Sequence, residues 1–277
     1  KKSFLGFSKA NRNPTEGYPS SFFVQDITLY KGSPRVDVKM SIDWWEDHTL
    51  LKVAFPFAVS PDVATFEIPY ATIERSTRKN TEWEKARFEV SVHRWADMSA
   101  DGYGVSLLND RKYGMDVVDN VMRLTLLTSP LWPDPFADRG RQEVVYSIYP
   151  HAGDWRDAET VRQAQQLNLP LVPATLESGD NATATANSFF GIDAENAYVS
   201  TVKRAESGEG FIIRVVESEG KAGRVTVTLP FSAATAHEVD LLESKIDGAI
   251  DIDGKTVSFD LGTNEVKSLA VVPAKGR

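Results

Sequence analysis

The feature that most limits how this chain can fold is a strict two-residue alternation. Val36, Val38, Met40, Ile42 and Trp44 are interleaved with Asp37, Lys39, Ser41 and Asp43. Successive side chains of an extended strand point to opposite faces, so this pattern predicts an antiparallel strand with one dry and one wet face. Ala86, Phe88, Val90 and Val92 repeat it, as do Met122, Leu124 and Leu126. Val144–Tyr149 is apolar on both faces, which predicts a central strand. One segment has helical character: Asp154-Trp155-Arg156-Asp157 opens it, Ala158, Val161, Gln165 and Leu167 follow, and Pro170 closes it.

Further along, Phe211, Ile213 and Val215 alternate, then Val225, Val227, Leu229 and Phe231. Asp253-Gly254 separates Ile250 and Ile252 from Val257, Phe259 and Leu261, a hairpin signal. Between the two sets of strands, Ala174–Asn187 is rich in Ala, Thr, Ser, Asn and Gly and poor in large apolar residues. The chain is therefore expected to be all-β. A large antiparallel β-sandwich is expected over residues 1–174, a connector over 175–187 and a smaller C-terminal β-sandwich over 188–277.

Charge and composition exclude several functions. A net charge of −8 argues against nucleic acid and against an anionic membrane surface, both of which need clustered Lys and Arg. No apolar run approaches the roughly 20 residues of a membrane helix. The start at Lys1–Gly6 is too short for a signal peptide and suggests a cut inside a longer protein. Without Cys there is no disulfide framework and no thiolate chemistry. The expected compartment is the cytoplasm, with the periplasm also compatible.

The four His (His48, His93, His151 and His237) show no metal-ligand spacing, so no metal is expected in this chain. No Gly-x-Ser-x-Gly elbow or phosphate-binding glycine loop is present. The segment His93–Gly114 breaks the alternation. Arg94, Asp97, Asp101, Asn109, Asp110, Arg111 and Lys112 are hydrogen-bonding groups, and Trp95, Tyr103 and Tyr113 offer aromatic faces. That mixture suits a sugar, with hydroxyls for the polar groups and a C–H face for the rings. On residue types alone, a solvated loop anchored by its aromatics is the better reading, since most polar clusters in β proteins are loops. Pro130–His151 forms a second cluster, in which Asp134, Asp138 and Arg139 are placed to pair with one another and stiffen a loop. Asn181-Ala182-Thr183 fits a glycosylation sequon and is more simply part of the polar connector.

Several blocks, in order, resemble the C-terminal half of the family 38 glycoside hydrolases, the α-mannosidases, especially the bacterial and cytosolic type. They are Val36–Phe57, Ala64–Arg75, Arg87–Gly114, Arg123–His151 with Pro133-Asp134-Pro135 and Ala137-Asp138-Arg139-Gly140, and Asn187–Glu217. Arg141 and Met98 stand where the family more often has His and Leu. The resemblance implies a large sandwich of the galactose-mutarotase type. It also implies a retaining enzyme whose catalytic Asp residues and zinc belong to an N-terminal barrel, the partner of this region within one polypeptide. On that reading no catalytic residue and no metal ligand lies in this chain, which alone would be inactive. It would support the barrel and line the rim of a pocket for terminal α-linked mannose in oligosaccharides. Rim candidates are Asn109, Asp110, Arg111, Lys112, Tyr113, Arg94 and Asp97. Two other functions compete: a carbohydrate-binding β-sandwich without hydrolysis, and a mutarotase-like epimerase, which needs a His and a Glu facing each other.

Overall fold

A computed structural model of the chain describes residues 21–174 and 188–274 in full, and residues 2–9 as backbone. By its contacts the chain divides into two compact units, Lys1–Leu171 and Val172–Arg277. The connector 175–187, with Asn181, lies outside the described residues.

The first unit runs β1 (Lys2–Lys9), β2 (Phe22–Leu29), β3 (Val36–Trp44), β4 (Leu51–Pro56), β5 (Val63–Ile68), β6 (Ala71–Ser76), α1 (Glu82–Ala86), β7 (Val90–Ser91), β8 (Trp95–Ala100), β9 (Tyr103–Asn109), β10 (Gly114–Val118), β11 (Val121–Leu127), β12 (Gly140–Ala152) and α2 (Thr160–Asn168). Eight strands form one sheet in the order β1-β2-β3-β12-β9-β8-β5-β6, and β4-β11-β10-β7 form a second. The alternation places Val38, Met40, Ile42 and Trp44 of β3 on the inner face, where they meet Met122, Leu124 and Leu126 of β11. Burying each such side chain contributes about 1.5–3 kcal/mol, so a one-residue slip would expose the whole set. β12 pairs with β3 on one side and β9 on the other, the central position its apolar run predicts.

The outer face of the large sheet is also covered. Trp95, Leu108 and Tyr149 pack against Trp155 and Ala164 of the α2 segment, with Trp95 and Trp155 ring centroids 5.0 Å apart. Arg35 Nη1 donates to the Gln163 carbonyl (2.7 Å) and the Tyr149 hydroxyl to that of Ala158 (2.8 Å). The helix lies within the segment that the sequence signals but begins at Thr160, after a turn over 155–159, rather than at Asp154.

The alternation at Ala86–Val92 does not make one strand. Glu82–Ala86 is a short helix, only Val90–Ser91 pairs, and Phe88 is 83% exposed. A capping box explains this: the Thr81 hydroxyl accepts from Glu84 N, while Glu84 accepts from Thr81 N.

The second unit comprises β13 (Gly191–Ile192), β14 (Ala197–Arg204), β15 (Phe211–Glu217), β16 (Gly223–Thr228), β17 (Ala233–Val239), β18 (Ile250–Asp253), β19 (Thr256–Leu261) and β20 (Val266–Pro273). Sheets β13-β16-β19-β18 and β14-β15-β20-β17 enclose Ile213, Val215, Val225, Val227, Phe259 and Leu269. The expected hairpin joins β18 to β19, and Gly254 supplies its positive φ of 56°. Leu229 and Phe231 fall beyond the end of β16. The fold is all-β throughout.

Candidate functional site

The segment His93–Gly114 folds into strands β8 and β9 followed by a tight turn. Asn109 fixes that turn from inside. It is fully buried, its Nδ2 donates to the His93 carbonyl (3.0 Å) and its Oδ1 accepts from Lys112 N (2.8 Å). At the end of α2, Asn168 Nδ2 donates to the Asn109 carbonyl (3.0 Å), so the helix braces the turn. Asp110 continues the ladder: its N–H donates to Val145 O, and its Oδ1 accepts from Val145 N, both at 3.1 Å. The other oxygen, Oδ2, holds Arg111 (2.6 Å).

The two basic residues of the turn differ. The Arg111 side chain is 61% exposed and paired with Asp110, which raises its pKa through that hydrogen bond and charge. Lys112 is half-buried, and burial pushes its pKa down while Asp138 and Asp110 offset this in part. Among the described residues no hydrogen bond is made by the Lys112 ammonium. Tyr113 is exposed, and its ring tilts over His93 at 5.9 Å.

Arg94 is held against Glu67 of β5: Nε reaches both carboxylate oxygens (3.1 and 3.0 Å) and Nη2 reaches Oε1 (2.5 Å). Glu67 also accepts from Arg94 N and lies 3.8 Å from His93 Nδ1. Sequence reasoning missed Glu67. Its only signal is a carboxylate set in the apolar run Phe66–Ile68, where burial demands a cation.

Asp97 does not reach the surface. It is 2% exposed, accepting from Ser106 Oγ (2.7 Å), His151 Nε2 (2.8 Å) and Ser99 Oγ. Ser106 also meets Thr160 of α2 (3.0 Å). Burial opposes protonation of His151, but the Asp97 carboxylate outweighs it and raises the pKa. The set resembles a Ser-His-Asp triad in composition only. Ser106 and His151 Nε2 both converge on the same Asp97 oxygen, so His151 is not oriented as a base for the serine. Gly104 stands opposite His151 in the ladder, where a Cβ would run into the His151 ring and the Ser99 hydroxyl.

Of the Pro130–His151 cluster, Gly140–His151 belongs to strand β12, and the loop before it is not held by the expected pairing. Arg139 grips Asp47 with two bonds from Nη2 (2.6 and 2.7 Å), rather than Asp134 or Asp138. Asp138 accepts from Thr128 N and Ser129 N. These bonds, with the Lys112 charge, outweigh the opposing effect of burial and lower its pKa. The loop and the turn therefore meet electrostatically at Lys112.

Chemically, the turn presents an ammonium and an aromatic face, while Glu67, Asp97 and Asp110 are all engaged within the chain. No group of three or more His, Cys, Asp or Glu among the described residues could hold a metal ion, and no described helix is long and apolar enough to cross a membrane.

The pairing of a large and a small β unit defines a class. The fold matches the crystal structure of an α-mannosidase from Enterococcus faecalis V583 with a TM-score of 0.77 at 16% identity, over 91% of this chain and 29% of that one. Residues 11–136 match the glycosyl hydrolases family 38 C-terminal domain, and residues 196–269 the glycosyl hydrolases family 38 C-terminal beta sandwich domain. The chain belongs to this family, in its C-terminal region. It is 39% identical to "Alpha-mannosidase 2C1" of Homo sapiens over 81% of this chain and 22% of that protein. It is 39% identical to "Alpha-mannosidase G" of Dictyostelium discoideum over 72% of this chain and 18% of that protein. The chain thus spans about a fifth of these relatives, which carry the region as part of a larger polypeptide.

Proposed function

We propose that this chain is the C-terminal part of a retaining α-mannosidase that releases terminal α-linked mannose from oligosaccharides in the cytoplasm. Its partner is the N-terminal barrel of the same polypeptide, which carries the nucleophile, the acid and the zinc. Among the described residues no donor set fits that zinc, and the role of this region is support and part of the pocket rim. The units divide as residues 1–174 and 188–277, with 175–187 joining them.

The observation that carries the rim assignment is the Lys112 ammonium. It is half-buried on a turn braced by Asn109, Asp110 and α2, and has no hydrogen bond among the described residues. Arg111 is already committed to Asp110. A positioned cation bonded to a substrate hydroxyl contributes about 1.5–3 kcal/mol. In the complete enzyme Lys112→Ala should therefore lower kcat/KM roughly 10- to 150-fold. Unchanged kcat/KM in that variant would remove Lys112 from the rim. The chain alone should neither bind catalytic zinc nor cleave an aryl α-mannoside; zinc-dependent turnover by it would overturn the proposal. The epimerase alternative finds little support, because the Glu67 carboxylate that faces His93 is already occupied by Arg94.

A further inference from the structure

Beside the edge strand β6 lies a small cleft, open to solvent, whose lining includes Phe66, Arg75, Arg78, Lys79, Arg87 and Asp116. Four of these six are cations, and two are accounted for. Arg78 bridges Asp62 and Asp119, each at 3.1 Å. Lys79 Nζ donates to the carbonyls of Glu84 (2.8 Å) and Arg87. The nearby acids are also engaged: Asp116 by Lys52 (2.6 Å) and Arg123 (2.7 Å), and Glu84 by the backbone of Asn80 and Thr81.

Arg75 and Arg87 remain. Neither has a carboxylate partner among the described residues. The Arg75 guanidinium lies over the Phe66 ring, 4.7 Å from its centroid, and its Nη1 is buried without a hydrogen bond. Burial, and then the Arg87 charge, push the Arg75 pKa down. Two neighbouring like charges without carboxylate partners are unfavourable, and an anion held between them relieves that repulsion.

We propose that this cleft binds a small doubly charged oxyanion of the phosphate class between Arg75 and Arg87. A dianion matches two cations, and phosphate oxygens suit the guanidinium fork. The site is independent of the proposed mannose rim, since it shares no residue with the 109–113 turn.

Calorimetric titration of the purified protein with inorganic phosphate at low ionic strength tests the site. Saturable binding in the millimolar range is expected, with a rise in Tm as phosphate is added. Arg87→Gln changes an exposed side chain and should leave the fold intact while weakening binding at least about tenfold. Arg75→Gln should abolish it. Lys85→Gln, an exposed residue paired with Glu82, should leave it unchanged. No saturable heat, or wild-type affinity in Arg87→Gln, overturns the site. Acetate binding as tightly as phosphate overturns the dianion assignment.

Discussion

Asp97 and Asp110 break the same apolar pattern, one on β8 and one just past the end of β9, yet the fold treats them differently. Asp97 is buried, and three side chains, Ser99, Ser106 and His151, satisfy it inside the protein. Asp110 closes a surface turn, and its bonds to Val145 and Arg111 leave the neighbouring Lys112 ammonium unused. The difference teaches how to read a polar cluster. A group whose partners all come from the chain is architecture. A positioned group whose donors remain unspent is available to a ligand.

The comparison breaks most sharply at Asp97. Asp97→Ala leaves His151, Ser99 and Ser106 without their acceptor, and losing one member of a buried pair costs about 3–5 kcal/mol. Urea denaturation should show a loss of that size, and a loss below about 1 kcal/mol would mean that the cluster is not structural. At Lys112 the expected loss is instead the 10- to 150-fold in kcat/KM given above, with stability little changed. If Lys112→Ala mainly unfolds the protein, the contrast between the two sites fails.

A third measurement sharpens the Asp97 side. The folded pKa of His151 is raised above the unfolded value of about 6.5. Its contribution is therefore complete below that value and is lost as pH rises through the folded pKa. The stability difference between wild type and His151→Gln should be full below about pH 6.5 and shrink as pH rises through the raised folded pKa. A difference independent of pH would show that His151 does not carry its proton in the fold. The smallest effect belongs to Arg111→Ala. The arginine half of its ion pair is solvent-exposed, so stability should change by less than about 1 kcal/mol and kcat/KM by less than about twofold.

Much of this architecture is visible in the alternation. β3 coincides with the run from Val36 to Trp44, and β12 takes the central place that its two-faced apolarity requires. Ala86–Val92 misleads because period two also occurs by chance in a short stretch. The capping residues Thr81 and Glu84 were the better local signal. At the site, the turn at Asn109 is legible because polar residues interrupt a strand. The burial of Asp97 is not, since it depends on His151, reached only once β9 and β12 pair. The commitment of Arg139 to Asp47 likewise depends on a residue brought close by folding.

Gly104 carries this further, into descent. The space its missing Cβ leaves is filled by the His151 ring and the Ser99 hydroxyl. Positions 104 and 151 are therefore not free to drift separately: an alanine at the first evicts the imidazole at the second. Among descendants of this fold, the two residues should be inherited together or replaced together, and a lineage that lost the histidine first would be the one able to lose the glycine.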